Sequence, residues 1–163
     1  MRLFTAVDLP SEVLNRLDRL LVALRPEALV KWSPVDNLHI TTKFVGQWDE
    51  SRLDELDDAL SSLRVREPFE VELEGLGWFP NERSPRVLWI GAHGGSQLLS
   101  FGRATDQRLE KLGIKREDRE FAPHLTLARI KSPVSLSRLR RKIDEMQPAT
   151  MGKFFVTSFA LFR

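Results

Sequence analysis

The chain contains three histidines, and two of them open the same tetrapeptide: His39-Ile40-Thr41-Thr42 and His124-Leu125-Thr126-Leu127. Each lies in a strand-like run, Leu38 to Val45 and Pro123 to Ile130. Successive side chains of a strand point to opposite faces, so His39 and Thr41 share one face, as do His124 and Thr126. By the same count Lys43 joins the face of His39. Leu38, Ile40 and Thr42 take the reverse face of the first strand, and Leu125 and Leu127 that of the second, where they can pack on a core. With seven threonines in the chain, chance places one two residues after two of three histidines roughly half a per cent of the time. A lone strand histidine is ordinarily a packed or surface residue. The matched pair shifts that balance toward function.

The chemistry such a pair supports is proton traffic. Imidazole titrates near neutrality, so one ring can give a proton while the other takes one. A phosphodiester displacement uses both at once. One imidazole deprotonates the attacking water or hydroxyl, and the other protonates the leaving oxygen on the far side of phosphorus. A threonine hydroxyl beside each ring can donate a hydrogen bond to a non-bridging phosphate oxygen. The leaving oxygen is protonated directly, so the scheme uses no metal. A metal site of His39, His124 and a carboxylate is the competing arrangement, but neither motif carries an acidic residue at ligand spacing. We therefore expect no metal and no cofactor. His93, in the Ala92-His93-Gly94-Gly95 turn, reads as an exposed loop residue.

The surrounding pattern is mixed. Arg2 to Asp8 reads as a strand ended by Pro10. From Pro10 to Arg25, apolar residues recur at helical spacing up to Pro26. Asp49 to Arg64 is a second helix, with Leu53, Leu56, Leu60 and Leu63 on one stripe. Phe69 to Leu76 and Arg86 to Ala92 are strands joined by the polar turn from Pro80 to Pro85. Ser96 to Leu112 is a third helix. Ser135 is placed to cap a fourth, which carries Leu136, Leu139, Ile143 and Met146. Phe154 to Phe162 is a β-rich end. Strands joined by turns favour an α+β fold with antiparallel sheets. The order strand, helix, histidine strand, helix occurs twice, about 85 residues apart. It predicts two similar lobes with a cleft between them, forming one domain over residues 1–163.

Composition narrows the classes. The 163 residues are 42% hydrophobic and 29% charged, as expected of a globular chain. A formal charge of +2 is too mild to mark a nucleic-acid binder on its own. The absence of cysteine excludes disulfides, thiolate nucleophiles and Cys-ligated metals. No signal peptide and no apolar run of membrane-spanning length is visible, so we expect a cytoplasmic protein that does not engage membranes. The charge is sorted: Arg129, Lys131, Arg138, Arg140, Arg141 and Lys142 form a basic stretch after the second motif, suited either to an RNA backbone or to a solvated helix face. Of the four tryptophans most should be core. Trp78 and Phe79 are the preferred candidates for an aromatic rim.

At these residues the sequence resembles the RNA 2',3'-cyclic phosphodiesterase family, also called the 2'-5' RNA ligase family, of the two-histidine phosphoesterase superfamily. The similarity rests on Arg2-Leu3-Phe4-Thr5-Ala6-Val7-Asp8-Leu9-Pro10, on Val30-Lys31-Trp32, on Asn37 to Gly46 around the first HXTX motif, and on Phe121 to Arg129 around the second. It covers essentially the whole chain. The resemblance implies a bilobal, pseudo-two-fold α+β fold and hydrolysis of 2',3'-cyclic phosphate ends of RNA or nucleotides to 2'-phosphates. It also implies that His39 donates the proton and His124 accepts it, and that Thr41, Thr126 and Arg129 hold the phosphate or nucleotide. Lys43 is expected to bind substrate as well, and the chain to act as a monomer. In a regular strand Arg129 would face away from His124, so this role requires the strand to bulge or end near Ala128. Two alternatives stand beside hydrolysis: 2'-5' RNA ligation, which reverses the same chemistry, and an RNA-binding module without turnover. Water at ~55 M favours hydrolysis over joining.

Overall fold

Alternation and helical spacing lead to the elements expected, with shifted ends. The computed structural model describes residues 1–163. β1 (Arg2–Val7) leads through α1 (Ser11–Leu24) to β2 (Lys31–Trp32) and β3 (Ile40–Gln47). α2 (Leu53–Ser61) and β4 (Phe69–Phe79) follow, then β5 (Val87–His93), α3 (Gly95–Glu110), β6 (His124–Arg129), α4 (Ser137–Met146), β7 (Gly152–Val156) and β8 (Ala160–Phe162). The smaller sheet runs β3-β1-β8 and the larger β2-β6-β5-β4-β7. Every pairing is antiparallel.

The internal echo is visible in this order. β1-α1-β3-α2 and β5-α3-β6-α4 repeat, and in each half the first strand pairs directly with the histidine strand. The halves nevertheless exchange edges. β2, from the first half, borders the larger sheet, and β8, from the end of the chain, borders the smaller. The two-residue β2 carries no periodicity by which a sequence could reveal it.

Burial follows the apolar spacing. Val13, Leu17, Leu20, Leu21 and Leu24 of α1 are buried in a core that also takes Ile40, Ile90, Leu125 and Leu127 from the strands and Leu139 and Ile143 from α4. Leu56 and Leu60 of α2 close a second cluster with Leu3, Trp48, Leu109 and Ile114. Ser135 does not cap α4. Leu136 occupies that position, and the Ser135 hydroxyl lies one residue too early, reaching only the hydroxyl of Ser137. The predicted second helix opens instead with a single 3-10 turn, Glu50–Arg52, capped by the Asp49 carboxylate accepting from Ser51 N–H.

Both histidine strands depart from regular alternation at the same motif position. On β3, Thr41 pairs with Ala6 and Lys43 with Thr5, which leaves Thr42 as an extra residue. On β6, Thr126 pairs with Trp89 and Ala128 with Leu88, which leaves Leu127 as the extra one. Each is a β-bulge at the fourth residue of H-x-T-x, and a bulge turns two neighbouring side chains to the same side. Thr42 and Lys43 therefore both turn inward, and the Thr42 and Thr5 hydroxyls hydrogen-bond at 2.7 Å. Leu127 and Ala128 likewise both enter the core. The fifth residue after each histidine, Phe44 or Arg129, returns to the face of the motif.

This corrects the expectation for Lys43. It does not line the face of His39. It is 2% exposed, and its ammonium donates to Asp106 Oδ1 at 2.6 Å, to the Lys115 carbonyl at 2.7 Å and to Glu117 Oε1 at 3.4 Å. All three N–H groups are thereby engaged, as a buried charge requires. Burial opposes the Asp106 carboxylate, but the Lys43 hydrogen bond, the Glu117 N–H and the charges of Lys43 and Arg116 outweigh it and hold its pKa below the usual 3.8. A depressed carboxylate stabilises the fold above its unfolded pKa, and that contribution is lost as pH falls through the lower, folded value. Lys43→Met strands Asp106 and should cost about 3 kcal/mol in urea unfolding at pH 7, with the difference from wild type shrinking in acid.

Candidate active site

The two motif strands meet where the sheets join: β3 and β6 approach with Cα atoms within 8 Å of one another. His39 lies one residue before β3 and is half-buried, and Thr41 is partly exposed on the same side. His124 and Thr126 are both partly exposed on one face of β6. Arg129 comes out on that face too, paired with Val87 on β5 and with Lys31 on β2. The bulge at Leu127 supplies the break in alternation that its expected role requires.

The surroundings of the two rings differ. His39 is held by aromatic faces. Its ring lies 4.7 Å from Phe4 and 5.4 Å from Phe162, centroid to centroid, with interplanar angles of 20° and 9°. Phe4 and Phe162 are themselves 5.5 Å apart and nearly parallel, at 11°. They come from strands β1 and β8, which pair directly at Phe4 and Phe162. Burial pushes the His39 imidazole below its ordinary value of 6.5, against a smaller opposing pull from the Asp8 carboxylate.

His124 is held by a hydrogen bond. Its Nδ1 lies 2.7 Å from the Ala122 carbonyl. A carbonyl only accepts, so Nδ1 carries the proton and Nε2 is left to act outward. The loop that brings Ala122 into place rests on α3: Phe121 packs against Gly102, where any Cβ would strike its ring. Phe79 meets His124 edge-on at 5.0 Å, and Trp89 stands 6.5 Å away. Trp89 lies over Gly77, where again any Cβ would strike the ring. Its buried Nε1–H has no partner.

Of the expected rim, Phe79 is at the site and Trp78 is not. Trp78 faces the other side of β4, with the Arg140 guanidinium 5.1 Å from its ring. His93 turns back to the Glu74 carbonyl, 3.0 Å from Nε2. Phe4, Phe44, Trp89 and Phe162 were not legible as site residues. Phe44 is 62% exposed, its ring 6.2 Å from Phe4. It stands five residues after His39, as Arg129 stands five after His124, and the two bulges turn both to the motif face.

Two antiparallel sheets, each presenting one bulged H-x-T strand at their junction, define the class of two-histidine phosphoesterases. The family model described as LigT like Phosphoesterase matches residues 7–89 and 91–163. The chain belongs to this LigT-like phosphoesterase family. It is 34% identical to an RNA 2',3'-cyclic phosphodiesterase of Methanothermobacter thermautotrophicus over 100% of this chain and 89% of that one. A solved structure from Thermus thermophilus superposes with a TM-score of 0.82 at 34% identity, over 100% of this chain and 88% of that one. Escherichia coli LigT complexed with 3'-AMP gives 0.74 at 25% identity, over 98% and 86%.

The His39 surroundings generate a prediction independent of any activity. An NMR titration should place the His39 midpoint below 6.5. Phe162→Ala admits water to the ring, relieves the desolvation and should move the midpoint upward. A midpoint that stays put or falls in the variant would show that burial is not the cause.

Proposed function

We propose that the chain hydrolyses 2',3'-cyclic phosphate ends of RNA to 2'-phosphates, with His39 as acid, His124 as base, and Thr41 and Thr126 as phosphate donors. The observation that carries this reading is the matched pair of bulged motif strands at the join of the sheets, one ring with a committed Nδ1–H and the other without a protein partner. Neutral His124 offers the Nε2 lone pair to water. As water attacks phosphorus, the P–O3' bond breaks and the 3'-oxygen leaves with the proton of His39. The threonine hydroxyls donate to the non-bridging oxygens, on which charge accumulates. Arg129, on the same face as Thr126, adds a fixed cation that can grip an oxyanion with two N–H groups.

Relatives named as RNA 2',3'-cyclic phosphodiesterases support the substrate class, and the E. coli LigT complex with 3'-AMP supports nucleotide binding. Both motifs lie on one chain, so a monomer suffices. No helix is long and apolar enough to cross a membrane; with the cysteine-free composition this supports action in the cytoplasm.

The test is turnover of nucleoside 2',3'-cyclic phosphates and of RNA ending in one, in excess chelator. His39→Ala and His124→Ala should each lower kcat by about 10²–10⁴. Loss of wild-type activity in chelator with recovery on adding zinc would overturn the scheme. The pH profile carries a sign of its own. His39 must be protonated to act, and its pKa is lowered, so kcat/KM should fall as pH rises through a value below 6.5. Phe162→Ala should shift that alkaline limb upward.

A further inference from the structure

The basic stretch that follows the second motif divides in two when folded. The α4 side chains are largely engaged: Arg138 with Glu27 at 3.2 Å, Lys142 with Glu145 at 3.9 Å, and Arg140 with the Glu82 carbonyl and the face of Trp78. Arg129 and Lys131 instead meet a third cation from far away in sequence. Lys31 on β2 pairs directly with Arg129 on β6, so the two side chains leave the same face of the sheet. None of Lys31, Arg129 and Lys131 has a carboxylate within 4.0 Å. The Lys31 ammonium beside it, and then the charge of Arg129, push Lys131 below the ordinary lysine value. Three cations gathered without a counter-ion repel one another, and an anion placed among them removes that repulsion.

Their position decides which anion. Thr126 pairs with Trp89 and Arg129 with Val87, two residues along β5, which is about 7 Å. That is the order of one nucleotide step along an extended RNA strand. A phosphate held by Thr126 and the two histidines would have its neighbour in the chain beside Arg129, Lys31 and Lys131.

We propose that Lys31 and Lys131, flanking Arg129, form a second phosphate subsite that takes the phosphate on the 5' side of the terminal nucleotide. The inference rests on the phosphodiesterase reading for its register, and it makes the enzyme favour RNA ends over bare nucleosides. Arg129 belongs to both positions, and the two lysines to the second alone.

The smallest probe pair is adenosine 2',3'-cyclic phosphate with and without a 5'-phosphate. Wild-type kcat/KM should be about tenfold higher for the 5'-phosphorylated compound at low salt, with a salt dependence steeper by about one unit of slope. Lys31→Ala with Lys131→Ala should abolish both differences and leave hydrolysis of the 5'-hydroxyl compound within twofold of wild type. Lys31→Arg with Lys131→Arg should restore the preference. The subsite is overturned if wild type shows no preference, if the double variant keeps it, or if the variant loses activity on both compounds alike. Should wild type turn over neither compound, the phosphodiesterase reading fails, and calorimetry still decides the subsite. Adenosine 2',5'-bisphosphate should then bind about tenfold tighter than adenosine 2'-monophosphate, and only when both lysines are present. Equal affinities would end the proposal.

Discussion

The constraint on which the site depends is the extra residue that each histidine strand inserts after its threonine. A strand alternates strictly, so a histidine shares its face with the second and fourth residues after it and never with the fifth. Thr42 and Leu127 break that parity. After the bulge Lys43 is free to anchor the first strand from beneath, and Arg129 is free to face the phosphate position on the second. The same irregularity at the same motif position in both halves is what makes the two lobes alike where it matters, although the residues delivered, Phe44 and Arg129, differ in kind.

Equal motifs are then made unequal by what surrounds them. His39 is stacked on two phenylalanines and loses water, which disfavours its charged form. His124 keeps partial exposure and has one nitrogen committed to a backbone carbonyl. Acid–base chemistry on a phosphate needs two groups in opposite protonation states, and the desolvation of His39 works against the charged form that its role as acid requires, which confines the competent pair to lower pH. The aromatic support of His39 comes from the first and last strands of the chain, so the chain termini close the site they frame. The Ala122 carbonyl is in turn held by the seating of Phe121 on Gly102.

Charge is handled by the same separation of faces. The buried Lys43 gathers Asp106 and Glu117 and ties β3 to α3 and to the segment leading toward β6. Most of the exposed α4 cations find partners of their own. Lys31, Arg129 and Lys131, which have no carboxylate partner, gather on the face of Thr126, where an anionic substrate would supply a counter-charge.

How much of this could be read without coordinates depends on range. The paired H-x-T spacing, the leucine stripes of α1 and α2 and the repeated element order are local patterns, each set by a period of 2 or 3.6 residues. They sufficed for the fold class, the two histidines and the two threonines as candidates, and for the requirement that β6 bulge if Arg129 is to serve. Lys43 was misplaced because an alternation count has no term for an inserted residue. Phe4 and Phe162, or Lys31 and Arg129, carry no mutual signal along the chain, because pairing across strands is fixed by register and hydrogen bonding rather than by spacing. The sequence by itself determined which groups can move protons and which faces must be buried. Only the tertiary structure decided what each group sits beside, because burial, ring stacking and uncompensated charge are properties of neighbours distant in sequence.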